Sequence, residues 1–174
     1  GMKERSVIVN GVSKAYAMTG WRIGFIAAPQ WIVKGCNKLQ GQYTSGPCSV
    51  SQKAAEAAYT LPQDCVETMR QAFERRRDLI VSLAKEIPGL EVNKPEGAFY
   101  LFPKCSSFFG KTDGQRTINN STDFAMYLLE VGHVATVGGD AFGDPDCFRM
   151  SYATSDDNIK EAMSRIKNAL SLLK

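Results

Sequence analysis

The chain has 174 residues, 44% of them hydrophobic and 22% charged, which excludes disordered, collagen-like and coiled-coil polymers and leaves enough length for one substantial core. Its 21 Lys and Arg against 18 Asp and Glu give a formal charge of +3, too small and too scattered to argue for a nucleic-acid surface. The longest near-apolar run, Ile23 to Ala28, has six residues where a membrane-spanning helix needs about 20, and the Gly1-Met2-Lys3-Glu4-Arg5-Ser6 opening has no apolar stretch behind its charges, so no membrane partner is expected and a cytoplasmic location is.

Five cysteines, Cys36, Cys48, Cys65, Cys105 and Cys147, are too far apart for a Cys-x-x-Cys clamp, and the single histidine, His133, cannot complete a zinc site. Free thiols and no bound metal are expected.

In chain order, Ser6–Val9 is expected to be a short strand before the turn residues Asn10 and Gly11, and Ile23–Ala28 a second, ended by Pro29. Both are continuously apolar, which predicts strands buried on two faces in a parallel or mixed sheet. Two strands cannot cover both their faces, so this region reads as the end of a larger sheet, with apolar surface exposed around Val7–Val9 and Ile23–Ile26. Helices are predicted over Gln30–Leu39 and Ser49–Tyr59, separated by a Tyr43-Thr44-Ser45-Gly46 loop. From Asp64 to Ile87, the spacing of Val66, Met69, Phe73, Ile80, Leu83 and Ile87 gives one apolar stripe on a long helix stopped by Pro88-Gly89. Its Arg75-Arg76-Arg77 run reads as a solvated face paired with Glu74 and Asp78 rather than as a nucleic-acid patch.

Further on, Leu90–Val92 and Ala98–Phe102 are expected strands around a Pro95-Glu96-Gly97 turn, and residues 104–120 form a polar loop region. A helix over Thr122–Val131, capped by Ser121 or Thr122 and ended by Gly132, precedes short strands at Val134–Val137 and Phe148–Tyr152. Ile159, Met163, Ile166, Leu170 and Leu173 mark a last amphipathic helix capped by Ser155 or Asp156. There are no repeats. The long helix is the natural boundary, so the expected domains are 1–60, a connecting helix 61–88, and a compact α+β domain 89–174.

The chemistry concentrates in Asn10-Gly11-Val12-Ser13-Lys14-Ala15-Tyr16-Ala17-Met18-Thr19-Gly20-Trp21-Arg22-Ile23-Gly24. A lysine at the edge of a buried sheet can lose its proton by desolvation and become an imine-forming nucleophile, the more so beside a second cation. Arg22 can be that cation, and its planar fork also suits a phosphate dianion. By spacing alone, Lys14 and Arg22 read as ordinary loop charges at strand ends rather than as chemistry.

The wording of the segment, Gly11-Val12-Ser13-Lys14 followed by Ala17-Met18, Gly20, Arg22, Ile23 and Gly24, resembles the pyridoxal-phosphate attachment signature of class-I aminotransferases, in the aspartate aminotransferase branch that includes prephenate-accepting members. The resemblance implies that Lys14 carries the cofactor, pyridoxal 5'-phosphate, and moves the substrate's α-proton, and that Arg22 and Ser13 complete the cofactor-binding set. One departure is that many relatives place a serine three residues before the lysine, where this chain has Gly11. Phe148-Arg149-Met150-Ser151-Tyr152-Ala153-Thr154-Ser155 is similar to the family strand whose arginine grips the substrate α-carboxylate, which implies that role for Arg149. Pro95–Tyr100 and Gly138–Gly143 resemble family segments of the small domain more weakly, the second as a Gly-rich loop near the site.

The family resemblance spans essentially the whole chain but only the C-terminal part of such enzymes. It implies an α/β and α+β architecture: the remnant of a fold-type-I large domain, a connecting helix and an α+β small domain. The implied reaction moves the amino group of aspartate, or a related amino acid, to a 2-oxo acid such as 2-oxoglutarate. A homodimer is implied for the whole enzyme, and the isolated chain is expected to be inactive, because the family's aspartate at the pyridinium nitrogen lies outside it. Alternatives are a carbon-sulfur lyase or an aminocyclopropane-carboxylate synthase on the same fold, or a catalytically silent structural piece.

Overall fold

A computed structural model describes all residues, 1–174. The chain divides into two compact units, Gly1–Met69 and Arg70–Lys174.

In the first unit, β1 (Ile8–Gly11) and β2 (Gly24–Ala27) pair antiparallel, Ile8 facing Ala27 and Gly11 facing Gly24. This corrects the parallel option, whereas the exposed apolar surface expected of an incomplete sheet is found. Ile8 is 60% and Val9 76% exposed, and among hydrophobic residues of this unit only Val12 is buried. The reason is the expected one for an incomplete sheet: these residues do not supply the layers that would cover it fully, and apolar surface is left open at Val7, Ile8, Val9 and Phe25. Helix α1 (Gln30–Thr44) runs five residues beyond its predicted end at Leu39. Ser45, in the left-handed conformation at φ 61°, ends it, and Gly46 at φ 142° completes the turn into α2 (Ser49–Thr60). Tyr59 of α2 packs edge-on against Tyr16 and Phe25, with ring centres 5.1 and 5.8 Å away.

Helix α3 (Asp64–Lys85) begins in the first unit and continues in the second. Its buried positions, Ile80, Val81 and Ala84, join Ile87 in the core. The arginine run is spent on ion pairs. Arg77 contacts Glu74 and Asp78, as expected, but Arg75 and Arg76 reach Asp156 at the start of the last helix, at 3.0 and 3.5 Å.

The second unit holds the continuous hydrophobic core. Its sheet has the order β3-β5-β4, from β3 (Tyr100–Leu101), β4 (Val137–Gly138) and β5 (Phe148–Ser151), with both pairings antiparallel. Phe148, Met150 and Leu101 point into the core, and the alternation puts Arg149, Ser151 and Tyr100 on the other face. The strand expected at Leu90–Val92 is reduced to one bridge, Glu91 to Lys104. The facing segment's other edge is bonded to β5 and the turn before it: the Cys105 amide donates to the Asp146 carbonyl at 2.8 Å and the Phe148 amide to the Pro103 carbonyl at 3.1 Å. The strand expected at Val134–Val137 forms only at its end.

Helix α4 (Ser121–Glu130) is capped by Asn120, whose side chain accepts from the Asp123 amide, and not by Ser121 or Thr122. Ser121 is instead wholly buried and bonded to the loop after β4. Helix α5 (Asp156–Leu170) is capped by Ser155 as expected, and Ile159, Met163, Ile166 and Leu170 are buried on its inner face. The Tyr127 hydroxyl, inside the core, donates to the Ala169 carbonyl at 2.9 Å.

Candidate functional site

The segment joining β1 to β2 holds three of the four residues singled out in the sequence. It starts where two glycines face each other. A Cβ on Gly11 would stand 3.0 Å from the Ile23 carbonyl oxygen and 3.2 Å from the Gly24 Cα. This is the physical side of the departure noted above, since a serine at position 11 would press its side chain into the neighbouring strand's backbone. A turn follows, closed by the Ala17 amide on the Lys14 carbonyl at 3.2 Å, with Ala17 at φ 54°. The segment then passes through a single helical turn, Thr19–Trp21, to Arg22.

Arg22 itself sits at φ 50°, a left-handed conformation that costs a non-glycine residue on the order of 1 kcal/mol. Its Nη1 donates to the Thr19 carbonyl at 2.8 Å, which fixes the guanidinium at the segment's end and leaves its other donors for a ligand. Ser13 is half-buried. Lys14 is exposed. A primary amine, a hydroxyl and a guanidinium on one connecting segment are the donor set for an aldehyde that carries a phosphate. No group of three His, Cys, Asp or Glu side chains could hold a metal ion.

An apolar cleft of about 260 Å³ lies nearby in the same unit, between the strand ends and α2, with Gly11, Gly24, Phe25, Pro47 and Tyr59 in its walls. None of Ser13, Lys14 and Arg22 lines it.

The fourth residue, Arg149, is in the second unit, half-buried on the open face of the sheet's central strand. Its guanidinium carbon lies 4.3 Å from the Tyr100 ring centre and 4.1 Å from that of Phe142. Tyr100 comes from β3 on one side of β5, and Phe142 from the turn Gly139–Phe142 that follows β4 on the other. No carboxylate pairs with Arg149, so the ordinary fate of a strand arginine, a surface salt bridge, is not its fate here. Sequence reading placed both aromatics in family-like segments without connecting them to Arg149. The alternation about β5 could have put Tyr100 on the arginine's face, but Phe142 sits in a loop where no periodicity applies.

The thiols play no part in either cluster. Cys36, Cys48 and Cys65 are exposed, and Cys105 and Cys147 are buried. Burial pushes the Cys105 thiol up to about 12, and Cys147, buried beside the Asp144 carboxylate, up to about 11.

Residues 1–166 match the family model described as aminotransferase class I and II. The chain is 50% identical over 170 residues to an aspartate aminotransferase of Rhizobium meliloti (strain 1021), covering 97% of this chain and 42% of that protein. It is 49% identical over 178 residues to a Petunia hybrida protein named bifunctional aspartate aminotransferase and glutamate/aspartate-prephenate aminotransferase, covering 100% of this chain and 37% of that one. The crystal structure of an aspartate aminotransferase from Rhizobium meliloti superposes with a TM-score of 0.95 at 48% identity, over 99% of this chain and 43% of that chain. An aromatic aminotransferase from Pyrococcus horikoshii OT3 follows with a TM-score of 0.87 at 39% identity, over 98% and 44%. The chain thus spans about two-fifths of the length of the relatives it matches.

Proposed function

The chain belongs to the class I and II aminotransferases, and on that premise we propose that it is the C-terminal part of an enzyme that moves the amino group of aspartate, or a related amino acid, to a 2-oxo acid such as 2-oxoglutarate. The observation that carries this reading is the identity of 49–50%, over nearly all of the chain, to proteins named aspartate or aspartate/prephenate aminotransferases.

Pyridoxal 5'-phosphate, when bound, supplies the electron sink that lets an amino acid lose its α-proton. In this reading Lys14 anchors it through Nζ, and Arg22 with Ser13 holds its phosphate through charge-assisted bonds. Once the substrate's amino group had displaced it from the cofactor, Lys14 Nζ would be the base that takes the proton from the substrate Cα. Arg149 binds the substrate α-carboxylate in a bidentate pair and so fixes the direction of the Cα–H bond. The whole enzyme is read as a cytoplasmic homodimer. No helix is long and apolar enough to cross a membrane.

The test uses the full-length protein with pyridoxal 5'-phosphate, aspartate and 2-oxoglutarate. The expected result is formation of glutamate, with amino-acid-dependent conversion of the cofactor's absorption spectrum, both abolished in Lys14→Ala. Cleavage of cystathionine in place of amino transfer would replace this reading with the lyase alternative, and no spectral response to any amino acid would overturn it.

A further inference from the structure

We infer that Tyr100 and Phe142 are positioning residues that hold Arg149 ready for a carboxylate, an inference that rests on the role proposed for Arg149 above. The guanidinium carbon sits over both rings, at 4.3 and 4.1 Å from their centres. This is well inside the distance at which a cation gains from an aromatic face. The two rings arrive from opposite neighbours of the central strand, so they screen the cation from two directions. A guanidinium carries its N–H groups in its own plane, and an incoming carboxylate engages them edge-on. Aromatic faces stabilise the charge without using any of those donors, whereas a carboxylate partner would occupy them. Arg149 has the first kind of neighbour and lacks the second, which is the arrangement a binding arginine needs and a structural one does not.

The support behind Phe142 is equally specific. It closes the turn Gly139–Phe142, and that turn is tied to the buried start of α4. The Gly139 amide donates to the Ser121 hydroxyl at 3.1 Å, and Ser121 and Thr122 both donate to the Asp140 carboxylate, at 3.3 and 3.4 Å. Gly139 has no room for a side chain, because a Cβ there would overlap the Asp144 and Cys147 carbonyl oxygens. A second aromatic, Phe102, meets Phe142 edge-on with ring centres 6.1 Å apart. The loop is therefore built to fix one ring, and that ring lies against Arg149.

The experiment compares full-length wild-type holoenzyme with Phe142→Leu, Phe142→Tyr, Tyr100→Leu and Arg149→Leu. It measures succinate affinity by calorimetry, together with kcat and KM for aspartate. Each aromatic-to-leucine change is expected to weaken succinate binding and raise KM about tenfold with kcat within about twofold, and Phe142→Tyr to restore both. A role in folding alone would lower the active fraction and leave the affinity of the folded enzyme unchanged. Loss of succinate binding in Arg149→Leu with wild-type affinity in both leucine variants would overturn this inference and leave the carboxylate role of Arg149 standing. Wild-type affinity in Arg149→Leu, or no succinate binding by the wild type, would overturn that role and the inference with it.

Discussion

Ile166 and Ile8 are the same residue type in opposite surroundings, and one substitution applied to both tests where this chain keeps its stability. Ile166, on the inner face of α5, is completely buried, whereas Ile8 in β1 is 60% exposed. Replacing isoleucine by alanine removes three carbons, worth about 2.4 kcal/mol of transfer free energy when all were buried. If the surrounding side chains do not close in, a void on the order of 75 Å³ adds about 1.8 kcal/mol. Ile166→Ala is thus expected to cost about 4 kcal/mol. For Ile8→Ala only the covered two-fifths of the side chain counts, about 1 kcal/mol, and no void forms because the position opens to solvent. Urea unfolding of the 174-residue chain, followed by far-ultraviolet circular dichroism, measures both. With a slope of about 2 kcal/mol per molar, Ile166→Ala should lower the midpoint by about 2 M and Ile8→Ala by about 0.5 M. Equal shifts, or a loss below about 1.5 kcal/mol for Ile166→Ala, would refute the assignment of the core to the second unit.

Tyr127→Phe removes the buried hydroxyl that donates to the Ala169 carbonyl, which keeps the Leu172 amide at 3.2 Å, so a loss of about 0.5–1.5 kcal/mol is expected in the same titration. Gly11→Ser places its Cβ 3.0 Å from the Ile23 carbonyl oxygen and should lower the melting temperature of the full-length protein, by a cost of about 1–2 kcal/mol; an unchanged melting temperature would mean that the two strands part easily there. With a disulfide-exchange reagent, Cys36, Cys48 and Cys65 should react quickly and Cys105 and Cys147 only on unfolding. Cys48 should be fastest, because hydrogen bonds from Ser51 hold its thiol below the usual value. The two buried thiols keep their protons in the folded state while the unfolded chain releases them near pH 9. Their contribution is therefore complete below pH 9 and is lost between pH 9 and about 12, and an alkaline decline that survives Cys105→Ala and Cys147→Ala would assign it elsewhere.

Much of the fold could be read from local pattern. The Ile159, Met163, Ile166 and Leu170 stripe turned inward as its 3.6-residue spacing requires, and the long helix's stripe did so at Ile80, with Val66, Met69, Phe73 and Leu83 half-buried. Errors fell where a rule had two candidates or none. For α4 the sequence offered Ser121 or Thr122, whereas Asn120 is the cap and Ser121 is drawn into the core to meet the Gly139 amide. The Leu90–Val92 strand is reduced to the single bridge from Glu91 to Lys104, a pairing with a neighbour distant in sequence that no local pattern decides. The continuous apolar runs of β1 and β2 marked strands of a larger sheet, and the apolar surface expected to stay open in this chain is exposed at Val7, Ile8, Val9 and Phe25.

The candidate site divides along the same line. Lys14, Ser13 and Arg22 became candidates from the sequence alone, because the wording of one short segment resembles the family's attachment signature, where spacing by itself left loop charges. Arg149 could be named from its strand. That its guanidinium is held between Tyr100 and Phe142, free of any carboxylate, was decided only by the tertiary structure. Those residues stand some forty positions apart on either side of a sheet, and the order in which strands pair is a property of the packed core, which no local pattern contains.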